Sequence, residues 1–360
     1  MPGPHEIAAD RPFAWKAFFF QWEWILLLVF LAIQVMNFHL SPYYLDLAHL
    51  REEAADLAWW PWLTSLIPAV LANWADVTIS FLDKSFIVFP MAFIIIMAEI
   101  DISVGSTVAL SAVLMGLSYK AGLSMPLAMV VALAVGSVCG FINGLILVKY
   151  RELAPMIVTL ATMIIYRGIA LILLEDQAVG KFPAWFQNIC WGYLGPVPIM
   201  LLAFCVTALV FGIILHRTTF GRQVYAIGSN PVASLFSGVP VARIRVTAYT
   251  LAGLMSGVTA IFLTSRMGST RPNVATGYEL DVIAMVVLGG VSTAGGRGRI
   301  IGTVISVFTI GFLRYGLGLR NISAEYLLII IGLLLIFAVM LPNLRPLYTS
   351  WYSARHPRRQ

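Results

Sequence analysis

The chain has 360 residues, of which 60% are hydrophobic and only 11% charged, with a formal net charge of +6. Soluble domains are about half apolar and about a quarter charged, so a water-solvated fold is excluded and lipid has to cover most of the surface. The basic excess is distributed as a membrane-topology signal, which removes the reason to invoke nucleic acid.

Apolar runs long enough to cross a bilayer as helix, about 20 residues, recur along the chain. The short alternating segments of a barrel are absent. Only helices and closed barrels satisfy the backbone in hydrocarbon. The sequence therefore predicts an all-α polytopic membrane protein, a single transmembrane domain over residues 1–360 with broken or re-entrant segments.

Residues 1–21 carry Glu6, Asp10, Arg11 and Lys16 and no small-residue cleavage pattern, so they read as a tail before a retained first span. Spans are expected near 22–40, 82–99, 102–119, 125–148, 153–173, 197–215, 246–264, 281–294, 300–317 and 324–342, ten in all. Residues 41–81 hold a polar stretch and then Trp59, Trp60, Trp62 and Trp74 around an apolar run too short to span. Tryptophan favours the membrane interface, so an amphipathic or re-entrant element on the outer surface is expected, with an eleventh span as the alternative. Of the 23 Lys and Arg residues, fourteen fall in the tails and one set of loops and six in the other set. The positive-inside rule then places both termini, including the basic tail 343–360, in the cytoplasm.

Ionisable residues inside spans are costly and functional by default. Glu99 and Asp101, in MAEIDISVGS (97–106), lie where one span turns into the next, followed by Ser103, Gly105 and Ser106. Asp101 reads either as a cap on the following helix or as part of a polar kink beside a path. Arg167 lies deep in a span, as an internal ion pair or a snorkelling cation. Glu279 and Asp281 open a later span, where they suit a helix N-terminus or line an outer vestibule. Residues 288–302 (LGGVSTAGGRGRIIG) read as a tight hairpin or as a broken helix beside a pore.

The segment 216–246 is a long polar loop, and such loops are often functional. Asn230 followed by Pro231 suits a helix start, and Gly238 a stop. A short helix over 231–237 with Val232, Leu235 and Phe236 on its apolar face is expected to lie across the membrane surface, where it docks into a groove on a partner or serves as a plain connection packed on its own spans.

No phosphate-binding glycine loop, HExxH or GxSxG motif is present. The five histidines sit in tails and loops, and Cys139, Cys190 and Cys205 have no metal-ligand spacing. No catalytic or metal residue is therefore assigned. An ATP requirement would have to be met by another chain.

At these segments the chain resembles the permease subunits of monosaccharide-type ATP-binding-cassette importers, the ribose, galactose, rhamnose and autoinducer-2 group. The resemblance runs from about 82 to 342. It rests on AEIDISVGS (98–106), Asn143–Gly144, APMIVTLATMIIYRGIA (154–170), FGRQVYAIGSNPVASLFSGVPV (220–241) and GYELDVIAMVVLGGVSTAGGRG (277–298), in that order. It implies two permease chains forming the pathway in a bacterial inner membrane. A cytoplasmic ATPase uses the ATP, and a periplasmic sugar-binding protein delivers substrate. By motif match, Phe220, Gly221, Arg222, Ala226, Gly228, Asn230, Ala233, Phe236, Ser237 and Gly238 form the ATPase-coupling loop. Glu99, Asp101, Ser103, Asn143, Thr159, Thr162, Arg167 and Glu279 are the pathway candidates. The family commonly reads GGIDLSVGS where this chain has AEIDISVGS. Glu99 and the segments 83–96, 175–183 and 263–272 resemble the rhamnose-type branch. The Trp-rich segment before residue 81 matches nothing in the family. The competing expectation is a stand-alone, ion-driven secondary transporter built on Glu99, Asp101 and Arg167.

Overall fold

The structure, a computed structural model, describes residues 22–40 and 72–322, with isolated positions at 44, 70 and between 326 and 340. In chain order its helices are α1 (Trp22–Leu40), α2 (Ser85–Ile96), α3 (Val104–Lys120), α4 (Met125–Lys149), α5 (Pro155–Leu174), α6 (Ala184–Trp191), α7 (Ile199–Arg217), α8 (Thr219–Ser229), α9 (Pro231–Phe236), α10 (Val241–Met267), α11 (Tyr278–Leu288) and α12 (Ile300–Leu319). A helix at Ala72–Thr78, a 3-10 turn at Leu82–Lys84 and two small antiparallel ribbons complete the described fold, the ribbons pairing Val179–Gly180 with Ser269–Thr270 and Tyr193–Leu194 with Val197–Pro198.

Among the described residues, α1, α4, α5, α7, α10 and α12 are long and apolar enough to cross a membrane. Ala72–Thr78 and Leu82–Ile96 form a further pair bent by 60°. The ten expected spans are therefore redrawn. The one at 102–119 is α3, with 17 residues. The one at 281–294 is α11, which stops at Leu288 after 11 residues, about 16 Å of helix and half of a hydrocarbon core. The cause is local. Gly289 packs against the Gly302–Thr303 backbone, and Gly290 turns to φ +86° against Trp22. The expected loop at 216–246 is mostly helix, because Thr218 starts α8 by accepting a hydrogen bond from the Gly221 amide. Residues 1–21, most of 41–81, most of 324–342 and 343–360 lie outside the described residues.

Helix α2 is the centre of the molecule. All 12 of its residues are buried, as expected of a helix apolar all round. Phe86, Phe89 and Phe93 recur at helical spacing on one face. Phe86 stacks on Phe262 of α10 at 4.7 Å between centroids. Phe89 meets Phe204 and Phe211 of α7, and Phe93 meets Phe211 and Phe220 of α8.

Helices α4 and α10 run antiparallel along an extended seam. Lipid supplies no hydrophobic drive between helices, so close backbone approach through small residues does the work. Gly136, Gly140 and Gly144 face Gly253, Tyr249 and Val246 in turn, and Gly257 faces Ala132. A Cβ on Gly136, Gly140 or Gly253 would overlap the opposing backbone. At the periphery, α1 is held to α12 by the Asn37 side-chain amide, which donates to the Phe312 carbonyl at 2.9 Å.

Overpacking at this seam is expected to cost about 3 kcal/mol, so Gly140→Leu should lower the melting temperature of the detergent-solubilised protein sharply. Gly168→Ala is the control. Nothing lies within 4 Å of a Cβ there, and replacing a helical glycine by alanine gains about 0.5–1 kcal/mol, so its melting temperature should rise or stay level.

Candidate functional site

Helix α2 is buried to its last turn, and the chain turns back through residues 97–103, where Ala98 is exposed, into α3. The turn is a Schellman-type stop. The Glu99 amide donates to the Ile94 carbonyl at 3.1 Å and the Ala98 amide to Ile95 at 2.9 Å. Ala98 takes φ +61° to allow this, a conformation that normally falls to glycine. The free Ile96 carbonyl accepts from the Gly296 amide at 2.8 Å. Gly228, near the end of α8, lies so close to this carbonyl that no side chain fits.

Six of the eight pathway candidates gather at this break. The Asp101 carboxylate accepts from the Ser103 amide at 2.8 Å and its hydroxyl at 2.6 Å. Asp101 thus organises the turn before α3, and the first turn of the helix gets no side-chain cap from Ser103. The Asn143 side-chain amide donates to Ser103 Oγ at 2.8 Å, and the Tyr166 hydroxyl lies 3.1 Å from Asn143 Oδ1. Thr159 Oγ1 lies 3.3 Å from the Ile100 carbonyl, and the Thr162 hydroxyl donates to the Thr159 carbonyl. Glu99, Asp101, Ser103, Asn143, Thr159 and Thr162 are all buried within the protomer. Glu99 pairs with Arg245 of α10, NH2 to Oε1 at 2.6 Å.

Arg167 and Glu279 stand apart from the break, around the irregular segment 271–277. The expected ion pair or snorkelling of Arg167 is replaced by a backbone role. Its NH1 donates to the carbonyls of Pro272 and Val274, both at 2.7 Å. These two bonds tie the irregular backbone to α5. Glu279 accepts from the Gly277 amide at 3.2 Å and packs against Gly105, where a side chain would collide with its carboxylate. The first turns of α3 and α11 therefore touch.

A second charged cluster lies at the start of α2. Lys84 pairs with Asp281 at 2.7 Å, and Arg314 of α12 binds the other oxygen of Asp281. Arg266 of α10 pairs with Asp83 at 3.0 Å, and the Tyr278 hydroxyl donates to Asp83 at 2.8 Å. Asp83, Lys84 and Asp281 are buried. Lys84 and Arg314 are visible in the sequence as charges within spans, but their partners are not. Asp281 ties two cations rather than serving α11 alone.

On the far side of the break, α8 and α9 meet at Asn230. Its side chain accepts from the Ala233 amide at 2.9 Å and so caps α9. Gly238, at φ +79°, ends the turn that follows. Gly221, Val224, Ile227 and Gly228 face inward, and Arg222 faces out. Helix α9 is exposed apart from Ser234, and it overhangs a groove of about 520 Å³ bordered by Val148, Arg151, Val239 and Arg243.

Short helices, a buried break and a protruding capped helix fit a transport component. Residues 73–339 match the family described as the branched-chain amino acid transport system, permease component. The chain belongs to this permease family. It is 41% identical over 257 residues to the ribose import permease protein of Bacillus subtilis, covering 71% of this chain and 80% of that protein. It is 36% identical over 270 residues to the autoinducer 2 import system permease protein of Escherichia coli, covering 73% and 81%. No solved structure matches. The resemblance to monosaccharide-type importer permeases therefore stands, and the chain is a multi-pass membrane protein.

The left-handed Ala98 is strained by about 1 kcal/mol. Ala98→Gly should relieve it and raise the melting temperature. Lys84→Met should do the reverse, since it leaves Asp281 with Arg314 alone, and breaking a buried pair costs about 3–5 kcal/mol.

Proposed function

We propose that this chain is the membrane permease of an ATP-driven importer for a monosaccharide. Two permease chains form the path, a periplasmic binding protein delivers the sugar, and a separate cytoplasmic ATPase binds and hydrolyses ATP. The observation that carries this is α9. Phe236 is 87% exposed, Val232 62% and Leu235 51%, a large apolar display on a helix of only six residues. Lipid does not explain it, because α9 follows the polar α8 and borders Arg151 and Arg243. A protein surface does, and hot spots of this kind are few, aromatic and central.

On this reading the α9 face is cytoplasmic, both termini share that side, and the membrane is the bacterial inner membrane. Support comes from the basic loops and from the two import permeases to which the chain is similar. The substrate we propose is a deoxyhexose such as rhamnose, on the resemblance of 83–96, 175–183 and 263–272 to that branch. The residues facing the irregular segment 271–277, Arg167 and Glu279, are the ones we assign to the path, because both are partly exposed while the other candidates are enclosed.

The ion-driven alternative gains nothing from the geometry. Glu99, Asp101 and Arg167 are each engaged in internal bonds.

Phe236→Asp tests the assignment without touching the core. The ATPase should lose affinity for the permease by about 30-fold or more, the scale of a hot-spot loss, while the melting temperature stays unchanged. Pull-down of the ATPase at wild-type strength would remove α9 as its docking site. Sugar uptake by the single chain under an ion gradient, without ATP, would overturn the importer reading.

A further inference from the structure

The two helices that flank α9 both end on the same few residues of the α2–α3 break. From one side comes α8, whose Gly228 abuts the Ile96 carbonyl. From the other comes α10, whose Arg245 lies just past the 237–240 turn and borders the groove under α9. The Arg245 guanidinium reaches one oxygen of Glu99, Oε1, with two nitrogens, Nε at 2.7 Å and NH2 at 2.6 Å, and NH1 adds the Leu147 carbonyl at 3.3 Å. Glu99 is 5% exposed, and fully buried Tyr249 lies against the same carboxylate.

These two contacts differ mechanically. Gly228 against a carbonyl is a packing contact, so it resists compression and little else. The ion pair also resists separation. Beyond Glu99 the connection continues through Asp101, Ser103, Asn143 and Tyr166, each hydrogen-bonded to the next or to its turn. Buried ion pairs are weak net stabilisers against apolar replacements, and their best-attested use is to fix register or a switch.

We propose that Glu99 and Arg245 are positioning residues for transport. Their ion pair is the link through which movement of α9 pulls the α2–α3 break, so that ATP turnover at the partner resets the path. This rests on the importer reading. The pair does not touch substrate, and it acts through the backbone of residues 97–103.

The test uses the whole importer, permease with ATPase and sugar-binding protein, reconstituted in proteoliposomes. ATP hydrolysis is measured with uptake of D-ribose and L-rhamnose, and permease melting is measured in parallel. The double variant E99Q/R245Q leaves no unpaired buried charge. It should melt like wild type and bind the ATPase normally, yet move about fivefold less sugar per ATP hydrolysed, the low end of typical coupling effects. R245K keeps the charge but loses the two-pronged contact, and it should fall between the two. Wild-type sugar per ATP in the double variant would overturn the proposal. If the double variant does not fold, wild-type stoichiometry in R245K overturns it, and a reduced one supports it. A wild-type complex that neither binds the ATPase nor takes up either sugar overturns the importer reading itself, a failure told apart because it appears before any substitution.

Discussion

A helix end buried among other chain segments leaves carbonyls and amides where water reaches them poorly, at a cost of about 1–3 kcal/mol for each group left unpaired. Helix α2 ends in this way at Ile96, and much of the surrounding structure answers that constraint. Ala98 turns left-handed to close the helix end, Gly296 donates to the free Ile96 carbonyl, and Thr159 approaches the Ile100 carbonyl. Asp101 gathers the Ser103 amide and hydroxyl before α3 begins. Where the partner of the break is backbone, a side chain would hold it off, and Gly228 and Gly295 stand against the Ile96 carbonyl for that reason.

Charge secures the same helix at both ends. Asp83 and Lys84 precede α2 and engage Arg266, Asp281 and, through Asp281, Arg314. Glu99 follows it and engages Arg245. Between these points the contacts of α2 are apolar, dominated by Phe86, Phe89 and Phe93. Apolar packing holds a helix in place without specifying its register sharply, because it is non-directional. Ion pairs with fixed partners do specify it. The division of labour is therefore between phenylalanines that supply contact area and charges that select which helices meet.

The parts of this structure legible in the sequence are those set by local chemistry. Apolar runs announce the membrane helices, because bilayer thickness demands a minimum length. Asn230, Pro231 and Gly238 mark α9, because capping and left-handed stops act within a few residues. The span drawn at 281–294 failed because the apolar run continues to Val291 while Gly289 and Gly290 end the helix, and hydropathy does not register backbone conformation. Arg167 was read through its charge, whereas its partners are the carbonyls of Pro272 and Val274, which every residue possesses and no pattern distinguishes. Glu99 and Arg245 are 146 positions apart, and Lys84 and Asp281 are 197 apart. Such pairings follow from the packing of helices, which a single sequence does not display.

Helix α10 joins the two charged regions. Its 27 residues make a rod of about 40 Å, with Arg245 near one end and Arg266 near the other. Along most of that length it runs against α4 through Gly253, Gly257 and the facing glycines. Interlocked large side chains would resist sliding between the two helices, but a seam of backbone against backbone presents few of them. A displacement applied at α9 enters α10 within its first two turns. No proline or glycine separates Arg245 from Gly253, so α10 runs as one regular helix from the α9 side to the α4 seam. The same helix carries the partner of Glu99 and the partner of Asp83, which ties the break at one end of α2 to the bend at the other.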